Sequence, residues 1–188
     1  MDEEPLLVSD AAAWRAWLDT NEGTSDGAWL VLAKKGTSSP TSLTYAQALE
    51  EALCSGWIDG RKERRDASTF LQRFTPRRNR STWSLRNVGI AQELTAQGRM
   101  RPRGQAEIDR ARSDGRWERA YPGSATIEMP ADLTEALRAS PTAESRFASL
   151  TAAERYPLLL QILTAAPELR EQRIAALVQR LRSHVPEE

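Results

Sequence analysis

The first half of the chain carries three segments in which apolar residues are grouped or alternate as they do in β-strands. Ala28–Lys34 (AWLVLAK) is an apolar run of strand length. Trp57–Arg64 and Ser68–Thr75 have the pattern of the two arms of a β-hairpin around Arg65-Asp66-Ala67. The alternation in the second arm is imperfect, which is typical of a bulge or an edge strand. Together these segments predict a small antiparallel sheet.

Apolar spacing and capping residues predict helices on both sides of these strands. In the first half they are residues 11–19, 44–56, 85–97 and 105–114. Thr44-x-x-Gln47 is a capping box that opens the second of them, and Gly98 follows the end of the third. Beyond Pro130 the pattern is helical throughout, with a second capping box at Thr151-x-x-Glu154.

The order of these elements predicts an α+β fold. We expect a small antiparallel β-sheet packed by helices in residues 1–125, followed by a helical C-terminal subdomain in residues 126–188. Each part should have its own core. The N-terminal core is predicted to contain Trp29, Trp57, Phe74 and Trp83. The helical cluster is predicted to contain Leu159, Ile162, Ile174 and Leu177.

Composition adds limits on the class of protein. Hydrophobic residues make up 40% and charged residues 28%, which excludes wholesale disorder. No apolar run approaches the roughly 20 residues of a membrane span. The single cysteine allows no intrachain disulfide, and the acidic start Asp2-Glu3-Glu4 has the opposite charge to a secretory leader. We therefore expect a cytoplasmic protein.

The formal net charge is zero, but the charges are unevenly distributed along the chain. Residues 1–56 contain three basic and nine acidic groups, whereas residues 57–119 contain 16 basic and eight acidic groups. An uneven distribution of this kind indicates either an anion-binding middle segment or acidic and basic segments that pair within the fold.

The strongest candidate site is the segment that follows the predicted hairpin. It runs from Pro76 into a helix N-terminus, where free backbone N–H groups favour anions. Arg77 and Arg78 add guanidinium donors that suit carboxylate or phosphate, and Ser81 or Ser84 can cap the helix. Trp83 offers an aromatic face. The alternative is structural: Trp83 belongs to the core and one arginine forms a salt bridge with Asp59.

Two further tryptophans stand within two residues of a charged residue and follow a glycine, in Gly56-Trp57-Ile58-Asp59 and Gly115-Arg116-Trp117. If these turns converge, Trp57, Asp59, Arg116 and Trp117 would line an aromatic pocket with a few polar groups. The alternative for both tryptophans is ordinary core packing.

Metal and nucleophilic chemistry have little support. Zinc sites use several Cys or His ligands, and the chain has one of each, so we predict no metal site and no cofactor. Asp59 and Glu63 lie at strand spacing, which would let them share a face and hold a hard cation; a solvated hairpin with cross-strand salt bridges is the favoured alternative. Cys54 is most simply a small core residue, and a dyad with His184 would require the two to meet.

An ordered series of short motifs gives the chain a family resemblance. The motifs are Trp14-x-x-Trp17-Leu18, Ala28-Trp29-Leu30-Val31, Cys54-Ser55-Gly56-Trp57-Ile58-Asp59-Gly60, Phe74-Thr75-Pro76-Arg77-Arg78, Ser81-Thr82-Trp83-Ser84, Gly98-Arg99-Met100 and Asp114-Gly115-Arg116-Trp117. In this order the chain resembles the YdeI/OmpD-associated family, also called bacteriocin-protection proteins, from about Ala13 to Leu181. The resemblance implies a bacterial protein with a role in resistance to bacteriocins or cationic antimicrobial peptides. It does not imply any particular catalysed reaction.

One stretch departs from the family pattern. Members tend to have an Ala-Lys pair followed shortly by a Thr-Arg pair near the C-terminus, whereas this chain reads Ala165-Ala166-Pro167-Glu168-Leu169-Arg170.

Four functions fit these observations, and one of them is a scaffold whose charges all pair within the fold; the other three involve a ligand or a substrate. The first is a stress- or bacteriocin-protection protein that binds an anionic small molecule or a partner's acidic group at the Arg/Trp-lined site. The second is an enzyme acting on a phosphorylated or carboxylated metabolite, with Asp59 as acid or base. The third is a non-specific nucleic-acid-binding module, for which neutral net charge predicts weak binding and which lacks any specific recognition motif.

Overall fold

The computed structural model of the chain describes residues 4–183. Three strands are present in that range: β1 (Ala28–Ala33), β2 (Trp57–Arg64) and β3 (Thr69–Pro76). Eight helices surround or follow them within the same range. They are α1 (Ala11–Asn21), α2 (Tyr45–Cys54), α3 (Leu85–Ala96), α4 (Pro102–Ser113), α5 (Ala131–Arg138), α6 (Pro141–Ser149), α7 (Ala152–Leu163) and α8 (Pro167–Ser183).

The described residues form two compact units. The N-terminal unit comprises the residues up to Ser81 together with Asn87–Asp114, and the helical unit comprises Thr82–Arg86 together with the residues from Gly115 onward. The N-terminal unit contains the sheet with α1, α2 and α4, and the helical unit contains α5 to α8. The predicted α+β class is therefore confirmed, while the predicted domain boundary after residue 125 stays a prediction.

The sheet is antiparallel, with the strand order β1-β3-β2. The central strand β3 pairs with β1 from Ala28↔Phe74 to Ala33↔Thr69 and with β2 from Trp57↔Pro76 to Arg64↔Phe70. The predicted hairpin is thus confirmed.

Asp66 fixes the turn of this hairpin. Its carboxylate accepts hydrogen bonds from the backbone N–H groups of Ser68 (2.8 Å) and Thr69 (2.7 Å) and from the Thr69 hydroxyl (2.7 Å). These bonds, with the one from the Thr69 side chain foremost, hold the pKa of Asp66 well below its usual range. An Asp that bonds the backbone two and three residues further on stabilises a turn without glycine.

A β-bulge in β2 changes which residues share a face. The register shifts between Asp59 and Lys62, so Asp59 lies opposite Phe74 and Glu63 lies opposite Leu71. Phe74 and Leu71 are three positions apart on β3, and residues at odd spacing point to opposite faces of a sheet. The prediction that Asp59 and Glu63 share a face is therefore wrong, because the extra residue of the bulge reverses the alternation.

The core of the N-terminal unit is built around aromatic rings. Trp14, Trp57 and Phe74 are fully buried, and the Trp14 ring lies 5.8 Å from Phe74 and 6.3 Å from Trp57 between centroids. The core positions predicted for Trp57 and Phe74 are confirmed.

Two of the predicted core residues lie elsewhere. Trp29 is half-buried on the other face of the sheet, where the guanidinium groups of Arg61 and Arg73 lie 5.5 and 6.0 Å from its ring centroid. Trp83 is buried but belongs to the helical unit. For Trp29 the prediction is wrong. Its partner on β3 is Arg73, which lies next to the core residue Phe74 in sequence. Neighbouring residues of a strand point to opposite faces, so Arg73 and Trp29 lie on the face away from the core.

The helical unit has a separate apolar cluster, as the spacing predicts. The cluster consists of Leu133, Leu137, Ala143, Phe147, Leu159, Ile162, Ile174, Leu177 and Leu181. The capping box at the start of α7 is also confirmed, since Thr151 Oγ accepts from Glu154 N and the Glu154 carboxylate accepts from Thr151 N. The four predicted cluster residues are all members.

An ion pair joins the start of α5 to α8. Arg170 donates to both carboxylate oxygens of Asp132, at 2.6 and 3.0 Å. These hydrogen bonds are the main reason why the pKa of Asp132 lies below its usual value. A lowered folded-state pKa contributes stability above the unfolded value of 3.8 that is lost as pH falls through the folded pKa.

We therefore expect Asp132→Asn to reduce the acid sensitivity of the helical unit. Its unfolding free energy at neutral pH should fall by less than about 1 kcal/mol, because the pair is partly exposed. The difference should vanish in acid below the folded-state pKa. Urea titrations at neutral and acid pH measure both values. The neighbouring substitution Glu135→Gln serves as the control, and an equal loss on acidification in Asp132→Asn and in the unchanged protein would contradict the assignment.

Candidate functional site

The segment after β3 forms a tight, basic turn in the N-terminal unit. Arg77 N donates to Gly56 O at 2.9 Å, and its side chain is only 6% exposed, so this residue continues the hairpin and is largely internal. Arg78 N donates to Ser81 Oγ and Ser81 N donates to Arg78 O, both at 2.9 Å. The prediction that Ser81 caps the following helix is wrong, because α3 begins four residues later at Leu85. The Ser81 hydroxyl oxygen instead accepts the hydrogen bond that closes this turn.

A third arginine from α4 reaches the same turn. Arg110 Nη1 donates to Asn79 Oδ1 at 3.3 Å and to Glu107 Oε1 at 2.9 Å. Arg78, Arg80 and Arg110 are all exposed. We name Arg78–Ser81 with Arg110 the arginine turn. It presents several guanidinium groups on a backbone that its own hydrogen bonds hold in place.

The other predicted residues of the N-terminal unit, Trp57 and Asp59, lie at the start of β2. Trp57 is fully buried, stands edge-on to Trp17 with centroids 5.8 Å apart, and donates from Nε1 to Glu22 O at 3.3 Å. Asp59 is half-buried and accepts a hydrogen bond from Tyr45 Oη at 2.7 Å. Sequence reasoning missed Tyr45, because its position at the first turn of α2 gives no sign that it meets β2.

The remaining three predicted residues, Trp83, Arg116 and Trp117, belong to the helical unit. The rings of Trp83 and Trp117 pack edge-to-face with centroids 4.8 Å apart, and both residues are buried. Backbone bonds from Tyr121 N to Trp83 O and from Leu85 N to Tyr121 O join the two segments. The structure thus brings Trp83 and Trp117 together, and a common pocket of all eight predicted residues stays a prediction.

The structure also places the residues considered for other chemistry. Cys54 is 1% exposed, and burial raises the pKa of its thiol, which favours the protonated and unreactive form. His184 lies outside the described residues, so the disfavoured alternative of a Cys54–His184 dyad is not tested. Within residues 4–183 no three Cys, His, Asp or Glu side chains are grouped to hold a metal ion. In the same range no helix has the length and apolar character of a membrane span.

Sequence reasoning missed a cavity in the helical unit. It has a volume of about 410 Å³ and is bordered by α5, α6, α7 and the segment before α5. Leu137, Phe147 and Leu159 give it an apolar wall, and Glu144 and Arg155 are its two charged residues. The apolar spacing of these helices predicts that they share a core, but it does not predict whether a cavity remains between them.

Two family models match two separate parts of the chain. The model of the family described as "Domain of unknown function (DUF8412)" matches residues 6–107, which is more than half of the chain. The chain belongs to this family. Residues 126–184 match the model described as "Bacteriocin-protection, YdeI or OmpD-Associated". No curated protein and no solved structure shows a significant match.

The resemblance to the YdeI/OmpD-associated family is therefore confirmed, with its match in residues 126–184. The short motifs that suggested it precede this stretch, and most of them fall within the DUF8412 domain. The stretch that matches the bacteriocin-protection model contains α5 to α8 and nearly all of the cavity lining. Residues Arg78–Ser81 of the arginine turn lie within the stretch that matches DUF8412, and Arg110 lies just beyond it.

Proposed function

We propose that this protein is a stress- or bacteriocin-protection protein that binds an anionic small molecule, or an acidic group of a partner, at the arginine turn. The observation that carries the proposal is the closed turn from Arg78 to Ser81, to which Arg110 is tied through Asn79. The match of residues 126–184 to a bacteriocin-protection family supports the protective role.

The charge around the turn supports an anionic ligand. Residues 57–81 contain eight basic and three acidic side chains. All three carboxylates have partners: Asp66 accepts from the hairpin turn, Glu63 pairs with Arg61, and Asp59 accepts from Tyr45. An excess of positive charge of this kind raises the local concentration of anions.

The chemistry of arginine favours carboxylate or phosphate. Guanidinium groups present N–H donors in a planar fork that matches two oxygens of such a group. Holding the backbone of the turn lowers the conformational entropy that a ligand must remove, and this preorganisation contributes to affinity. Arg77 supports the turn from the interior through its bond to Gly56.

The test is a titration with pyrophosphate and with citrate, followed by calorimetry at low and at physiological salt. We expect saturable binding, and we expect the double substitution Arg78→Ala/Arg80→Ala to weaken it at least about tenfold. The unfolding free energy should change by no more than about 0.5 kcal/mol, because both side chains are exposed.

A matched control separates a site from general electrostatic attraction. Arg64→Ala/Arg65→Ala removes the same charge from exposed positions of the same unit. We expect this variant to lose affinity less than about threefold, since distant exposed charges act mainly through screened long-range attraction. Equal losses in the two double variants, or no binding of either probe by the unchanged protein, would refute the proposal.

A further inference from the structure

We infer that the helical unit holds a second site, in the cavity between α5, α6 and α7, and that it binds a short, uncharged, apolar peptide segment. The cavity volume of about 410 Å³ lies within the range of roughly 300–1,000 Å³ that is usual for ligand pockets. It is separate from the arginine turn in both sequence and unit, so the inference does not depend on the proposed function.

The lining explains why the ligand must be apolar. Leu137, Phe147 and Leu159 are buried members of the apolar cluster and also border the cavity. Ile127 and the exposed Met129, from the segment before α5, continue the apolar wall outward. A flexible Met thioether adapts to ligands of different shape. An apolar side chain that enters the cavity would therefore be removed from water on several sides.

The two charged residues of the lining decide between ligand classes. Glu144 stands in the first turn of α6, where the helix dipole favours its negative charge. Arg155 of α7 lies with its guanidinium 5.8 Å from the Phe147 ring centroid and donates from Nη2 to Ala148 O, which fixes its orientation. The cavity thus has one fixed donor group and one acceptor group of opposite charge.

A ligand with a single charge gains little from such a pair. A carboxylate is attracted by Arg155 and repelled by Glu144, whereas an ammonium group is attracted by Glu144 and repelled by Arg155. A peptide group carries both an N–H donor and a C=O acceptor, so it complements Glu144 and Arg155 at once without a net charge. Apolar side chains on the same segment fit the cavity. This combination of charge balance and apolar lining assigns the site to an uncharged apolar peptide.

The experiment uses the full chain and the capped peptide N-acetyl-Leu-Phe-Leu-amide, with the Met129 methyl resonance as reporter. We expect saturable shifts of that resonance. Decanoate and decylamine, which have an apolar chain and one charge, should bind at least about tenfold more weakly than the peptide. Ala148→Leu places a larger side chain in the cavity lining and should weaken peptide binding at least about tenfold, whereas Ala175→Leu, on an exposed position of α8, should leave it unchanged.

A second substitution tests the charge argument on its own. Glu144→Gln keeps an acceptor and removes the negative charge, so peptide binding should change little while decanoate binding should improve several-fold. The inference is overturned if the peptide does not bind, if decanoate binds the unchanged protein as tightly as the peptide, or if Ala148→Leu binds the peptide normally. Thermal unfolding of each variant checks that it is folded. A failure of the pyrophosphate and citrate titrations would leave this result unaffected.

Discussion

Replacing Gly104 with alanine is expected to destabilise the N-terminal unit by about 3 kcal/mol. Gly104 lies in the first turn of α4, against the C-terminal end of α2. A Cβ atom there would overlap the carbonyl oxygen of Cys54, and it would lie 2.6 Å from Met100 Sδ and 2.8 Å from the Cys54 carbonyl carbon. The side chain of Met100 can move away, but the Cys54 backbone is held in the helix end. The two helices must therefore separate.

Gly89→Ala is the matched control for this prediction. Gly89 lies inside α3, and a Cβ added there meets nothing within 4 Å. Alanine in a helix interior is favoured over glycine by about 1 kcal/mol, so this variant should be more stable than the unchanged protein. Urea unfolding followed by far-ultraviolet circular dichroism gives both values. A Gly104→Ala variant as stable as Gly89→Ala would show that α2 and α4 do not approach as closely as described.

Glu51→Ala is expected to cost the same unit about 3 kcal/mol or more. The Glu51 side chain is only 10% exposed and accepts hydrogen bonds from Arg99 (2.7 Å) and Arg101 (3.2 Å). Arg101 is itself 14% exposed and bonds the Glu51 carbonyl oxygen (2.8 Å) and Asp19. Removal of the carboxylate takes a partner from Arg101 at a largely buried position, where the loss of a partner for a charge is costly. Arg99 is 37% exposed and keeps its pair with Glu50 (2.8 Å), so most of the expected loss comes from Arg101 and from the emptied interior position of Glu51.

A surface pair on the same unit provides the comparison. Glu63→Ala removes the partner of Arg61, whose side chain is 75% exposed. Exposed pairs contribute about 0–1 kcal/mol because water replaces the lost interaction. Chemical denaturation of both variants measures the difference, which we expect to exceed about 2 kcal/mol. If Glu51→Ala and Glu63→Ala lose the same stability, the interior cluster does not hold α2 to the segment that carries Arg99 and Arg101.

The two proposed sites lie in the two family-matched parts of the chain. Residues Arg78–Ser81 of the arginine turn belong to the part that matches DUF8412, and the cavity belongs largely to the part that matches the bacteriocin-protection family. Binding of an anion at one and of an apolar peptide at the other would give a single chain two different recognition chemistries. Their variants are separate, so each site is tested without disturbing the other.

Local patterns in the sequence determined the elements of this protein. The capping boxes at Thr44 and Thr151 start α2 and α7 as predicted, because a cap requires only residues three positions apart. The hairpin, the apolar cluster of the helical unit and the α+β class follow from periodicity in the same way. The family resemblance came from short motifs in a fixed order.

Only the tertiary structure decided which residues meet. The bulge in β2 separates Asp59 from Glu63, the register of β1 places Trp29 beside two arginines, and Tyr45 donates to Asp59 from another element. Arg110 reaches the arginine turn from α4, 31 residues away in sequence. The cavity arises where three helices fail to fill the space between them. The periodicity of apolar residues predicts which face of a helix or strand a residue lies on. Contacts and cavities depend on how whole elements pack against each other. That packing is set jointly by residues far apart in sequence, so a local pattern does not predict it.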